Sequence, residues 1–205
     1  MSINNFINRK IKYMPNGKVF VANDLSNDLD TRNAVEKTLS RLSSLKIIDR
    51  VDRGIYQKPK IIKPYNIKKV PSTKDILVAK RKLTGAKFAL TGASALYTLR
   101  LTTQVPVKDI YLCDKRLSDV KIGKRIISFK YVDHNKTDGG NNKYNLIFNA
   151  LEYLGKNEVT NNIISNVARD LIQKDINLLQ KNMIHRKLWI QKICIQIINK
   201  ALINA

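Results

Sequence analysis

Every proline of this 205-residue chain lies at or before Pro106, and every glycine at or before Gly155. The stretch after Gly155 thus lacks the two residues that end helices most reliably. It reads as helices at about 158–181 and 185–203, following one at 143–154. Turn chemistry is confined upstream, at Pro15-Asn16-Gly17, Asp52-Arg53-Gly54 and the run from Asp138 to Asn142. Pro59, Pro64 and Pro71 stand among lysines, a composition that reads as a linker over 61–71. The chain therefore divides into a turn-rich domain over 1–60, that linker, and a second domain over 72–205.

In the first domain Ser2 can cap a helix over 2–14, with Ile3, Phe6, Ile7, Ile11 and Met14 on one face. A short strand over 18–20 and a helix at about 22–29 follow, the latter with Ala22, Leu25 and Leu29 inward. Asp30-Thr31 breaks that helix and caps the next, at about 32–45, whose apolar stripe is Val35, Leu39, Leu42 and Leu45. Runs at 47–51 and 55–58 flank Asp52-Arg53-Gly54 and read as a hairpin. In the second domain the pattern predicts helices at 73–83 and 93–99, with strands at 87–90, 107–113 and 121–131. The fold class expected is α+β, an N-terminal winged helix-turn-helix followed by a mixed α/β domain with C-terminal helices.

Charge narrows the partners. Lys+Arg is 38 against 16 for Asp+Glu, a formal net charge of +22, with +9 on residues 1–70 and +13 on 71–205. Such an excess suits a polyanion, because Lys and Arg displace counterions from phosphates. A basic solvated surface from a lysine- and asparagine-rich coding bias is the other reading. Cys113 and Cys194 form no CxxC pair, and two buried thiols fit a reducing cytoplasm. No apolar run suits a signal peptide or a membrane span.

The helix over 32–45 turns Arg32, Asn33, Glu36, Lys37, Ser40 and Arg41 outward. Arg and Asn are the side chains that make paired hydrogen bonds to guanine and adenine edges in the major groove. Thr31 sits where a hydroxyl and free backbone amides suit a phosphate. Arg53 occupies the hairpin tip, where a wing reaches the minor groove, and Arg50 and Lys58 flank it for backbone contacts. The candidate DNA-binding set is Thr31, Arg32, Asn33, Lys37, Ser40, Arg41, Arg50 and Arg53. A solvated amphipathic face, or a protein-interaction module, is the alternative.

For catalysis the best rival is a nucleotidyltransferase, whose glycine-serine turn precedes paired aspartates. Thr91-Gly92-Ala93-Ser94 followed by Asp109 and Asp114 mimics that order. Two metals need carboxylates at i and i+2 on one strand. Asp109 and Asp114 are five apart, and Asp119 is five further on. His134 and His185 are isolated, and phosphate-binding glycine loops are missing. No catalytic residue, metal site or cofactor is expected. The apolar stripe Ile190, Ile193, Cys194, Ile197 and Ala201, with Trp189 alongside, packs on its own domain or forms an interface.

The runs Lys18 to Leu25, Thr31 to Leu42, Ile47 to Arg50 and Arg53 to Pro59 resemble the N-terminal module of AbiEi-type antitoxins of type IV, abortive-infection toxin–antitoxin systems. Thr91 to Leu96, Leu101 to Pro106, Ile110 to Asp114 and Lys121 to Lys130 resemble their second domain. The resemblance covers roughly residues 15–155. It implies a cytoplasmic autorepressor that binds inverted repeats in its own promoter, as a monomer in solution or a weak dimer on DNA. It also implies an antitoxin that counters a nucleotidyltransferase-like toxin without a stable complex. A basic strip, Lys115, Arg116, Lys121, Lys124 and Arg125, is the candidate antitoxin surface. A degenerate or active nucleotidyltransferase-like enzyme, or a plain winged-helix regulator with a protein-interaction domain, is the alternative.

Overall fold

The computed structural model of the chain describes residues 3–25, 31–133 and 136–203. It is a mixed α+β protein of two compact units, Met1–Ala86 with Val120–Lys124, and Lys87–Asp119 with Arg125–Ala205.

In the first unit helix α1 (Ile3–Tyr13) buries Ile7 and Ile11, while Ile3 and Phe6, expected on the same face, are exposed. The Pro15-Asn16-Gly17 turn leads into strand β1 (Val19–Val21). A 3-10 turn at Ala22–Asp24 follows, in which the Asp24 carboxylate accepts from the Val21 amide at 3.0 Å. This single turn is the described part of the helix expected over 22–29, and it buries Ala22 and Leu25. Ser2, Leu29 and Asp30 lie outside the described residues.

Helix α2 (Arg32–Ser44) buries Val35, Thr38, Leu39 and Leu42. Leu45 departs from the expected stripe and is 63% exposed. The helix has ended by then, and Lys46 at φ 58° swings the chain so that Ile48 takes the next core position. Thr31 precedes the helix without a side-chain capping bond, so the expected cap is not made there.

Strands β2 (Asp49–Asp52) and β3 (Ile55–Gln57) close a three-stranded antiparallel sheet in the order β1-β3-β2. A bulge between Arg50 and Asp52 twists the edge strand, and Gly54 makes the turn at φ +73°. The sheet and both helices enclose one core, with Phe20 and Leu39 at its centre and the Phe20 and Tyr56 rings stacked at 6.0 Å.

The segment expected as a linker is instead a small ribbon. Strands β4 (Ile61–Ile62) and β5 (Ile67–Lys68) pair antiparallel across a 3-10 turn at Lys63–Tyr65, with Asn66 at φ 48°. Helix α3 (Thr73–Thr84) is capped by Ser72, whose hydroxyl accepts from the Asp75 amide, and ends on Gly85 at φ +68°. It packs against β1 and β3 and buries Ile76, Ala79 and Lys80. The first unit therefore extends to Ala86, beyond the domain over 1–60 and the linker over 61–71 expected from the sequence.

The second unit contains strand β6 (Phe88–Thr91), helix α4 (Ala93–Thr98) and strand β7 (Lys108–Cys113). The run expected as one strand over 121–131 is broken at Gly123 into β8 (Val120–Ile122) and β9 (Arg125–Tyr131). Within this unit β7 pairs antiparallel with β6 and parallel with β9, while the residues of β8 group with the first unit. Helix α5 (Lys143–Leu154) lies on β6, where the buried Asn149 side chain donates to the Leu90 carbonyl at 2.9 Å.

The helix expected over 158–181 is two. Helix α6 (Asn161–Arg169) begins at Thr160, whose hydroxyl accepts from the Ile163 amide. Helix α7 (Gln173–Met183) begins where the Asp175 carboxylate accepts from the Ile172 amide. Helix α8 (Leu188–Ile203) buries Ile190, Cys194, Ile197 and Ala201 against α5, α6 and α7, so that stripe is core of its own unit. Trp189 and Ile193 are half-buried against the same cluster. No described helix is long and apolar enough to cross a membrane.

Candidate nucleic-acid interface

Helix α2 is amphipathic, and burying its stripe fixes what faces solvent. Arg32, Asn33, Lys37, Ser40 and Arg41 are all exposed, while Thr31 is half-buried. Asn33, Lys37, Ser40 and Arg41 follow at i, i+4, i+7 and i+8, the spacing of one helical face. Arg32 is not wholly free, since its Nε donates to Glu36 Oε1 at 3.1 Å in an exposed i, i+4 pair.

The hairpin sorts its charges by position. Asp49 and Asp52 are half-buried, whereas Arg50 and Arg53 are exposed. Asp49 pairs with Lys68 at 2.5 Å, and Asp52 with Lys80 at 2.6 Å. Each carboxylate is thus met by a lysine of the scaffold. Lys37, Arg41, Arg50 and Arg53 form no ion pair among the described residues. The turn glycine sets the hairpin tip from behind, because a Cβ at Gly54 would lie 3.3 Å from Leu83 Cδ1. Lys58 does not serve the tip. Its ammonium donates to the Lys12 and Met14 carbonyls, both at 2.7 Å, and closes the C-terminal end of α1.

The five residues of the expected basic strip are all exposed, but they fall in both units. Lys121 and Lys124 group with the first, and Lys115, Arg116 and Arg125 with the second. They are therefore not one strip of the second domain. The Arg116 guanidinium stands 5.5 Å from the Tyr131 ring centroid, a cation–π contact on the surface.

The three aspartates of the nucleotidyltransferase rival serve separate local structures. Asp109 accepts from Ser94 Oγ at 2.9 Å, and Asp114 from the Lys87 amide at 2.8 Å. Asp119 accepts from Ser128 Oγ at 2.6 Å and from the Phe129 amide at 3.2 Å. The Ser128 hydrogen bond leads the causes that hold the Asp119 carboxyl below its ordinary value. No group of three or more potential metal ligands occurs among the described residues.

Burial pushes the Tyr111 phenol and the Cys194 thiol up to about 12 each, which leaves both protonated and unreactive at neutral pH. His185 borders a cleft of about 510 Å³ with Glu152 and Arg186, and is itself exposed. Burial lowers the Arg186 guanidinium from its ordinary value. Its Nη2 donates to Asn145 Oδ1 at 3.1 Å, and it stacks 4.5 Å from the Phe148 ring centroid. His134 lies outside the described residues.

The chain belongs to DUF6088, described as a family of unknown function, whose profile matches residues 6–181. Its fold is similar to that of the RV2827C protein from Mycobacterium tuberculosis, with a TM-score of 0.50 at 12% identity. The match covers 97% of this chain and 77% of that one. No curated protein matches the sequence.

Proposed function

We propose that this protein is a DNA-binding autorepressor and the antitoxin of a type IV toxin–antitoxin system, acting without cofactor, metal or catalysis. The observation that carries the DNA-binding half is the exposure of Arg32, Asn33, Lys37, Ser40, Arg41, Arg50 and Arg53 on one small unit whose hairpin carboxylates are tied inward. The order α1, β1, 3-10 turn, α2, β2, β3 with sheet order β1-β3-β2 supports a winged helix-turn-helix reading. On that reading α2 is the recognition helix and Arg53 tips the wing. Thr31 supports a phosphate at the start of α2.

The antitoxin half rests on the resemblance to AbiEi-type proteins. Of the expected basic residues, Lys115, Arg116 and Arg125, which stay with the second unit, are its candidate surface, and a nucleotidyltransferase-like toxin is its functional counterpart, without a stable complex. The protein works in the cytoplasm, as a monomer or a weak dimer on inverted repeats of its own promoter. The separate engagements of Asp109, Asp114 and Asp119 favour a binding role over nucleotide transfer.

Two measurements test the halves apart. Selection on randomised duplexes is expected to give a preferred site for the full chain, and Arg32→Ala or Asn33→Ala is expected to change that preference. An unchanged site in Arg32→Ala would remove α2 as the reading element. Co-expression with a neighbouring nucleotidyltransferase-like toxin is expected to restore growth, including with Arg32→Ala. Loss of rescue on changing Lys115, Arg116 and Arg125 to Glu supports the surface. Rescue that tracks DNA binding in every variant leaves a repressor alone.

A further inference from the structure

We propose that the ribbon β4–β5 is a second DNA-contacting element, which grips the phosphate backbone beside the site read by α2. The inference rests on the DNA-binding reading above.

The ribbon is made in a way that no internal core explains. Residues 59–71 contain four lysines and no acidic residue. Both strands are exposed throughout, with Ile67 57% and the turn residue Tyr65 74% accessible. A lone two-stranded hairpin is marginal in water. This one is held at its base instead. The Lys69 amide donates to the Lys60 carbonyl at 2.8 Å, and the stems of both lysines lie over Gly17, whose missing Cβ would meet Lys60 Cδ at 3.3 Å. On the other side Lys68 reaches Asp49, at the start of β2.

The ribbon is therefore anchored to the edge strand that carries Arg50. Lys60, Lys63 and Lys69 remain exposed, with no ion pair among the described residues. Three uncompensated ammonium groups on a narrow projection suit a row of phosphates. A two-stranded ribbon is also slim enough to follow a groove. Lysines beside isoleucines would suit an anionic bilayer as well, but attachment to the arginine-bearing hairpin favours the duplex.

The test uses the full chain and the variant K60Q/K63Q/K69Q. Glutamine keeps most of each stem over Gly17, and Lys68 is left in place to hold Asp49. Duplex affinity is measured against salt. The slope of log K on log salt is expected to fall by about one for each lysine removed, with the preferred sequence unchanged. Lys63→Gln alone, in the turn, is expected to lower the slope by about one, which keeps the test independent of the ribbon's base. A wild type that binds duplex with the same slope as the triple variant overturns the ribbon's role and leaves the α2 interface standing. A wild type that does not bind duplex at all overturns the proposed function, and the ribbon's role with it. If the triple variant loses sedimentation with phosphatidylglycerol vesicles while its duplex slope is unchanged, the ribbon is a membrane element and the inference is wrong.

Discussion

The first unit contains two β-hairpins of opposite character. The one formed by β2 and β3 sends Ile55, Tyr56 and Gln57 fully into the interior and shares a core with α1 and α2. The ribbon of β4 and β5 buries none of its strand residues. The first exists because the fold requires it, through apolar area removed from water at about 25 cal/mol per Å². The second is held by three attachments at its base and leaves its isoleucines in solvent. Elements of the second kind contribute little to stability, and their sequence answers to something other than the core.

Matched substitutions in the two hairpins can break that contrast. The largest effect is expected from Ile55→Ala, which empties a fully buried site and costs about 2–5 kcal/mol in urea denaturation. Ile67→Ala, at a site 57% exposed, is expected to stay within about 0.5 kcal/mol. Equal losses would show that the ribbon is part of the cooperative core.

A smaller effect is expected from the ion pairs. Lys80 and Asp52 have side chains 8% and 20% exposed, so Lys80→Ala strands a largely buried carboxylate and costs about 3 kcal/mol. Lys68, 54% exposed, holds Asp49 at the ribbon's base, and Lys68→Ala is expected to cost about 1 kcal/mol or less. Thermal unfolding of the two variants at one salt concentration ranks them. A larger loss in Lys68→Ala would mean that the ribbon supports the sheet, instead of hanging from it.

The turns give the smallest difference. Gly54 at φ +73° meets Leu83, so Gly54→Ala is expected to cost about 1–2 kcal/mol. Asn66 at φ 48° already tolerates the left-handed region, and Asn66→Gly is expected to change stability by about 0.5 kcal/mol or less. Chemical denaturation resolves the two, and a large loss in Asn66→Gly would show that its side chain holds the ribbon's turn.

The same contrast explains what could be read from the sequence. The β2–β3 hairpin announces itself through Asp52-Arg53-Gly54 between apolar runs, and the α2 stripe through its spacing. Once that stripe is buried, the outward Arg32, Asn33, Lys37 and Arg41 follow. The ribbon gives no such signal. Its strands are two residues long, neither face is buried, and no alternation can mark it, so three prolines among lysines read as a linker.

Other departures have the same origin in local bonds that periodicity does not register. The Asp175 carboxylate starts α7 with neither proline nor glycine nearby, which hid the break after Arg169. Lys46 at positive φ displaced Leu45 in favour of Ile48. Lys58 was beyond reach of sequence reasoning, because its partners are carbonyls more than forty residues away in the chain.

The attachment of Asp52 and Gly54 to α3 has a further consequence. Lys80 grips the carboxylate just before Arg53, and Leu83 backs the glycine just after it. The aim of Arg53 is therefore set from a helix other than α2. On the proposed reading, how firmly the wing engages and which bases α2 prefers are controlled by different parts of the chain. If the protein is the repressor proposed above, substitutions at positions 80 and 83 change the strength of repression and leave the operator the same, whereas substitutions on α2 change the operator and leave the strength.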